Sequence, residues 1–125
     1  MNNKRISRIS EEIKKVVSEL ISREIKDPRV SPMTSVTKVE VTKDLSYAKI
    51  YISVLGDKGV KEDTLEGLQS AKGFIRREIS NRINLRHVPE PVFYLDESIE
   101  HGLYISKLIE KVNEEDKNKR GDIDE

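Results

Sequence analysis

Apolar residues recur at helical spacing over the first twenty positions. Ile6, Ile9, Ile13, Val16, Val17 and Leu20 stand three, four or seven apart, and at about 100° per residue they share one stripe. Lys4, Arg8, Glu11 and Lys15 lie opposite, with Glu11 and Lys15 in the favourable i,i+4 order. This helix is expected to end near Lys26, because Asp27 precedes Pro28 and the residue before a proline is pushed out of the α region. Residues 27–34 then read as a loop that carries one exposed arginine, Arg29.

The period then changes from helical to two. Thr37, Val39 and Val41 alternate with Lys38, Glu40 and Thr42, and Ala48, Ile50, Ile52 and Val54 alternate with Tyr47, Lys49, Tyr51 and Ser53. Such alternation predicts strands with one buried face, and the short link Lys43-Asp44-Leu45-Ser46 makes them an antiparallel hairpin. Gly56-Asp57-Lys58-Gly59 reads as a turn. A helical pattern follows from about Thr64 to Ile83, but Leu65 and Leu68 are out of phase with Ile75, Ile79 and Ile83. The slip falls at Ala71-Lys72-Gly73, where a glycine predicts a kink or two helices in tandem. Val92 to Leu95 forms a third strand with Pro91 at its start, and Ser98 is placed to cap a last helix carrying Ile99, Leu103, Leu108, Ile109 and Val112. From Asn113 the chain is almost wholly polar and is expected to be a disordered tail, residues 113–125. A strand–helix–strand crossover makes the third strand parallel to the second. The expected fold is α+β, a single domain over residues 1–112 in the order α-β-β-α(kink)α-β-α, with helices on one face of a three-stranded mixed sheet.

Composition narrows the chemistry. With no cysteine among 125 residues, disulfide scaffolds, thiolate metal sites and a cysteine nucleophile are excluded. No apolar run is long enough for a membrane span, and no secretory signal pattern follows the basic N-terminal residues, so a cytoplasmic protein is expected. The two histidines, His87 and His101, sit on different elements. No phosphate-binding glycine loop and no nucleophile with an activating partner is present, so no catalytic residue, metal or cofactor is expected.

Charge changes the picture most. The chain has 23 basic and 23 acidic residues, which alone argues against a nucleic-acid binder. Residues 1–89, however, hold 18 basic and 12 acidic residues, a net of +6, and residues 90–125 hold 5 and 11, a net of −6. Between residues 70 and 89, Lys72, Arg76, Arg77, Arg82 and Arg86 face only Glu78. With Ile75, Ile79 and Ile83 turned to the core, Arg77 points outward and Arg76 and Arg82 flank the stripe. Such a band attracts phosphates whatever the base sequence, though a basic helix face can also serve solubility alone. A glycine at a helix joint lets a nucleic-acid backbone approach the unpaired N–H groups of the second helix, as the GXXG loop does in KH domains.

Several segments, in order, then carry a resemblance. They are Arg5-x-x-Arg8-Ile9, Arg23-Glu24-Ile25-Lys26-Asp27-Pro28-Arg29, Asp44-Leu45-Ser46-Tyr47-Ala48-Lys49-Ile50-Tyr51, Ala71-Lys72-Gly73-Phe74-Ile75-Arg76, Leu85-Arg86-x-x-Pro89 and Asp96-x-Ser98. Over residues 5–112 the chain resembles the ribosome-binding factor A family of bacterial small-subunit assembly factors. The resemblance implies a type II KH-like fold whose GXXG loop is replaced by an Ala-x-Gly kink, here Ala71-Lys72-Gly73. It implies a non-enzymatic monomer that binds the immature 30S subunit and 16S rRNA and assists late maturation and rRNA processing, notably in the cold. Ribosomal proteins and an assembly GTPase are its implied neighbours. Pro91 stands where the family often has an apolar residue. The expected RNA-binding residues are Ala71, Lys72, Gly73, Arg76, Arg77, Arg82 and Arg86, with Arg5, Arg8 and Arg29 beside them. The alternative from another class is a protein–protein adaptor that sits on the ribosome without touching RNA. A small hydrolase or metal enzyme is a weaker third.

Overall fold

Helix α1 (Asn3–Glu19) forms where the apolar stripe predicts it, with Ile9, Ile13, Val16 and Val17 buried. The computed structural model describes residues 3–123. After Glu19 the helix widens into a π turn, Leu20–Glu24, in which the Ile25 N–H donates to the Leu20 carbonyl at 2.8 Å. The wider turn keeps Leu20 in the core and leaves Ile25 extended, leading into Asp27-Pro28.

Strands β1 (Thr34–Val41) and β2 (Tyr47–Val54) pair antiparallel, as the alternation predicts. Their link holds Leu45 at a φ of 60°, yet the Leu45 side chain is buried. A left-handed leucine costs about 1–2 kcal/mol, and burying its side chain contributes about 1.5–3 kcal/mol, so burial wins. The turn is tied by the Asp44 carboxylate, which accepts from the Ser46 N–H at 3.0 Å and the Thr42 hydroxyl at 2.8 Å. The β1–β2 register shifts between Val36 and Lys38, and at this irregularity the Thr37 hydroxyl donates to Asp96 at 2.7 Å.

Helix α2 (Lys58–Ser70) starts six residues earlier than the apolar pattern indicates. The segment read as a turn is its cap: Asp57 accepts from the Val60 N–H at 2.9 Å. Helix α3 (Lys72–Arg82) follows a break at Ala71, where the phase slip placed it. Strand β3 (Glu90–Leu95) lies parallel to β2 in the order β1-β2-β3 and includes the fully buried Pro91. A proline is tolerated here because β3 is an edge strand.

The core lies between one sheet face and α1, α2 and α3. Val39, Val41, Ala48, Ile50, Ile52 and Phe93 meet Ile13, Val17, Leu20, Leu68, Ile75 and Ile79, all buried.

The last helix departs from expectation in two ways. α4 runs from Ser98 to Ile123, through the stretch that composition assigns to a disordered tail. The expected core residues Leu103, Leu108, Ile109 and Val112 are each more than two-fifths exposed instead. Their spacing is helical, but among the described residues no other element covers them. Ser98 opens the helix, with its N–H held by Asp96 at 2.9 Å, so Asp96 supplies the capping carboxylate. Hydrogen bonds from Ser98 and Thr37 pull the Asp96 carboxyl down to about 2. No helix among the described residues is long and apolar enough to cross a membrane.

Candidate functional site

At the α2–α3 joint, Ala71 closes α2 by donating its N–H to the Gly67 and Leu68 carbonyls, both at 3.1 Å. Its own carbonyl accepts the first bond of α3, from Ile75 at 2.9 Å. The N–H groups of Lys72, Gly73 and Phe74 precede that bond and stand at the positive end of the α3 dipole. Gly73 is exposed, and a Cβ built on it would meet no atom within 4 Å. Its lack of a side chain therefore answers no internal packing need. Gly67, one turn before the joint, is the opposite case. A Cβ there would stand 2.7 Å from Val30 and 3.3 Å from Arg29, so this glycine lets the 27–30 loop lie on α2.

The basic residues divide into groups. Gly73, Arg76, Arg77, Ser80, Arg86 and His87 line one groove beside the joint, about 380 Å³ in volume. Arg77 and Arg86 are exposed there, and Arg76 donates to the Val88 carbonyl at 3.1 Å. Arg5, Arg8, Lys15 and Arg82 line a second groove between α1 and the end of α3, with Glu12 on its wall. Lys72 pairs with Glu90 at 2.6 Å, and that hydrogen bond holds the Glu90 carboxyl below its usual range.

Arg29 and Arg82 are already engaged. Arg29 is not the freely exposed loop arginine that the sequence suggests. Its guanidinium bonds Asp27 at 2.7 Å, Glu66 at 3.2 Å and Ser70 at 3.0 Å. The Arg29 side-chain and backbone bonds pull the Asp27 carboxyl down to about 2. Arg82 faces three glutamates, Glu24 at 2.9 Å, Glu19 at 3.2 Å and Glu78 at 3.8 Å. Both side chains lock loops or helices together, and neither guanidinium is left to a phosphate alone.

Sequence reasoning passed over three groove residues: Lys15, Ser80 and His87. Ser80 lies one helical turn from Arg76 and three residues from Arg77, within reach of the same helical wheel, whereas His87 lies in the loop after α3 and is signalled only by directly following Arg86. Lys15 lies seven residues, two turns, from Arg8 on the same helix face.

Comparison with known proteins agrees with this architecture. The family model described as ribosome-binding factor A matches residues 5–109. The chain is 57% identical over 113 residues to ribosome-binding factor A of Acetivibrio thermocellus, covering 90% of this chain and 92% of that one. It is 54% identical over 110 residues to the Clostridium tetani protein of the same name, covering 88% and 91%. The crystal structure of ribosome-binding factor A from Thermus thermophilus superposes with a TM-score of 0.64 at 22% identity, covering 72% of this chain and 94% of that one. A homology model of the Thermus thermophilus factor, fitted into a cryo-EM map of a 30S complex, superposes with a TM-score of 0.59 at 22% identity, covering 70% and 91%. With its family-model match over nearly all of the folded body, this chain belongs to the ribosome-binding factor A family.

Proposed function

We propose that this chain binds the immature 30S subunit by laying the α2–α3 joint against the sugar–phosphate backbone of 16S rRNA. It acts without catalysis, as a monomer in the cytoplasm, and assists late maturation and rRNA processing. Ribosomal proteins and an assembly GTPase are its neighbours there. The carrying observation is Gly73: an exposed glycine with open space around it, at a helix N-terminus, rimmed by Arg76, Arg77 and Arg86. A backbone phosphate reaching the Lys72, Gly73 and Phe74 N–H groups needs that empty space. The three arginines supply the positive rim, and Arg5, Arg8 and Lys15 extend it along α1. Arg29 and Arg82 take a positioning role, holding the loop and α3 in place. The 30S complex fitted with the Thermus thermophilus relative supports the choice of subunit.

The test is co-sedimentation with 30S particles in rising salt. Arg76→Glu with Arg77→Glu should abolish it, and unchanged, salt-insensitive binding would refute the phosphate mechanism. The adaptor reading is favoured by one observation, the uncovered apolar stripe of Ile105, Leu108, Ile109 and Val112 on α4. Crosslinking separates the two, since only the first reading yields RNA adducts at residues 70–89.

A further inference from the structure

The sheet face opposite the helices is uncovered among the described residues. Tyr47 on it is 46% exposed and Tyr94 is 43% exposed. Across it, Lys38, Tyr51 and Tyr94 are register partners on adjacent strands. The Tyr51 and Tyr94 rings stack with centroids 5.5 Å apart and an interplanar angle of 26°. The Lys38 ammonium lies 5.9 Å from the Tyr51 ring centre. The order across the sheet is therefore cation, ring, ring, and then the free edge of β3. Each contact covers one side of a ring, and the outer side of Tyr94 ends the stack toward that edge.

We propose that this open ring face of Tyr94 receives a base of single-stranded RNA, making the bare sheet face a second nucleic-acid surface; the proposal rests on the RNA-binding reading above. Lys38 and Tyr51 act as positioning residues that hold the ring upright. Three observations favour RNA as the occupant. Aromatic rings on an open sheet offer a flat face that any unstacked base can cover, whereas a duplex keeps its bases buried in its own stack. The acids on this face are each engaged rather than left to repel a phosphate: Glu40 pairs with Lys38 at 4.0 Å, Glu90 pairs with Lys72 at 2.6 Å, and Asp96 accepts from the Thr37 hydroxyl at 2.7 Å, while Lys49 stands beside them. Finally, the surface is continuous with the helix joint. The Lys72–Glu90 pair ties the joint to the start of β3, so a strand held at Gly73 can pass round the β3 edge and run toward Tyr94.

The test compares wild type, Tyr94→Leu, Tyr94→Phe and the Arg76→Glu/Arg77→Glu double variant in binding a short fluorescein-labelled oligouridylate. Tyr94→Leu should weaken binding about tenfold, the scale of one base–aromatic stack, and Tyr94→Phe should leave it unchanged. The chain has no tryptophan and four tyrosines, three of them on this face, so unlabelled oligouridylate should also quench wild-type tyrosine emission. That reading holds even if the leucine variant folds poorly. Equal affinity of wild type and a folded Tyr94→Leu, or no quenching, overturns the proposal. If the double arginine variant alone loses binding, the sheet-face inference fails and the function stands; if no variant changes it, both fail. Unchanged oligouridylate affinity with lost 30S co-sedimentation would assign the face to a ribosomal protein, and would also overturn it.

Discussion

Replacing Gly73 by alanine should move stability and binding in opposite directions. The added methyl group enters open space, with no atom within 4 Å, so it strains nothing inside the protein. Glycine is worse than alanine within a helix by about 1 kcal/mol, and Gly73 lies in the first turn of α3, so the gain should be up to about that value. For a chain of this size that is a rise of up to about 4 °C in Tm. On the RNA side, the methyl occupies the space through which a phosphate must approach the α3 N–H groups. Losing one charge-assisted hydrogen bond costs about 1.5 kcal/mol, roughly tenfold in Kd. Thermal unfolding followed by circular dichroism reads the first effect, and co-sedimentation with 30S particles reads the second. A Gly73→Ala variant that binds 30S as tightly as wild type would refute the close-approach explanation, whatever its Tm.

Gly67→Ala should do the reverse. Its methyl would collide with Val30 at 2.7 Å, so overpacking should cost about 1–3 kcal/mol in denaturant unfolding, with no change in 30S affinity per folded molecule. Arg82→Ala should lower stability by about 1 kcal/mol, the scale of a partly exposed ion-pair network, while leaving 30S binding intact. Hydrogen bonds from Ser98 and Thr37 hold the Asp96 carboxyl at about 2 in the folded state, below the ordinary carboxylate range. A depressed carboxyl stabilises the fold fully above the unfolded value and loses that contribution as pH falls toward the folded one. Wild-type stability should therefore drop between about pH 4 and pH 2, and Asp96→Asn should reduce that drop, leaving the part due to Asp27, in urea melts at stepped pH.

Much of this architecture was legible because local pattern and global fold agree. The α1 stripe, the alternation of both hairpin strands and the slip at Ala71 each follow from period alone, and the crossover rule fixed the direction of β3. The start of α2 was not legible, because Gly56 and Gly59 around Asp57 look like a turn until Asp57 is seen capping Val60. Leu45 was hidden for another reason: a leucine at positive φ is justified only by the core it enters. In the candidate site, charge spacing found the arginines at the joint but could not separate free ones from engaged ones. The partners of Arg29 and Arg82 include Glu66 and Glu19, which lie 37 and 63 positions away in sequence. For α4, helical spacing showed an apolar face truthfully, but spacing does not say whether anything covers it. Tyr47 and Tyr51 are legible only as the outward half of an alternation and Tyr94 only as a strand residue; the stacking of Tyr51 on Tyr94 needs the register of β2 with β3.

The most direct measurement is the salt dependence of 30S affinity for three proteins side by side: wild type, Arg77→Ala and Arg29→Ala. Each phosphate contact contributes about 0.7–0.9 to the slope of log K against log salt. Arg77→Ala should flatten the slope by about that amount, because its guanidinium is free for a phosphate. Arg29→Ala should lower stability and leave the slope unchanged, because its guanidinium is spent on Asp27, Glu66 and Ser70. A slope that Arg77→Ala leaves unchanged, or that Arg29→Ala flattens equally, would contradict a phosphate-binding surface built around the α2–α3 joint.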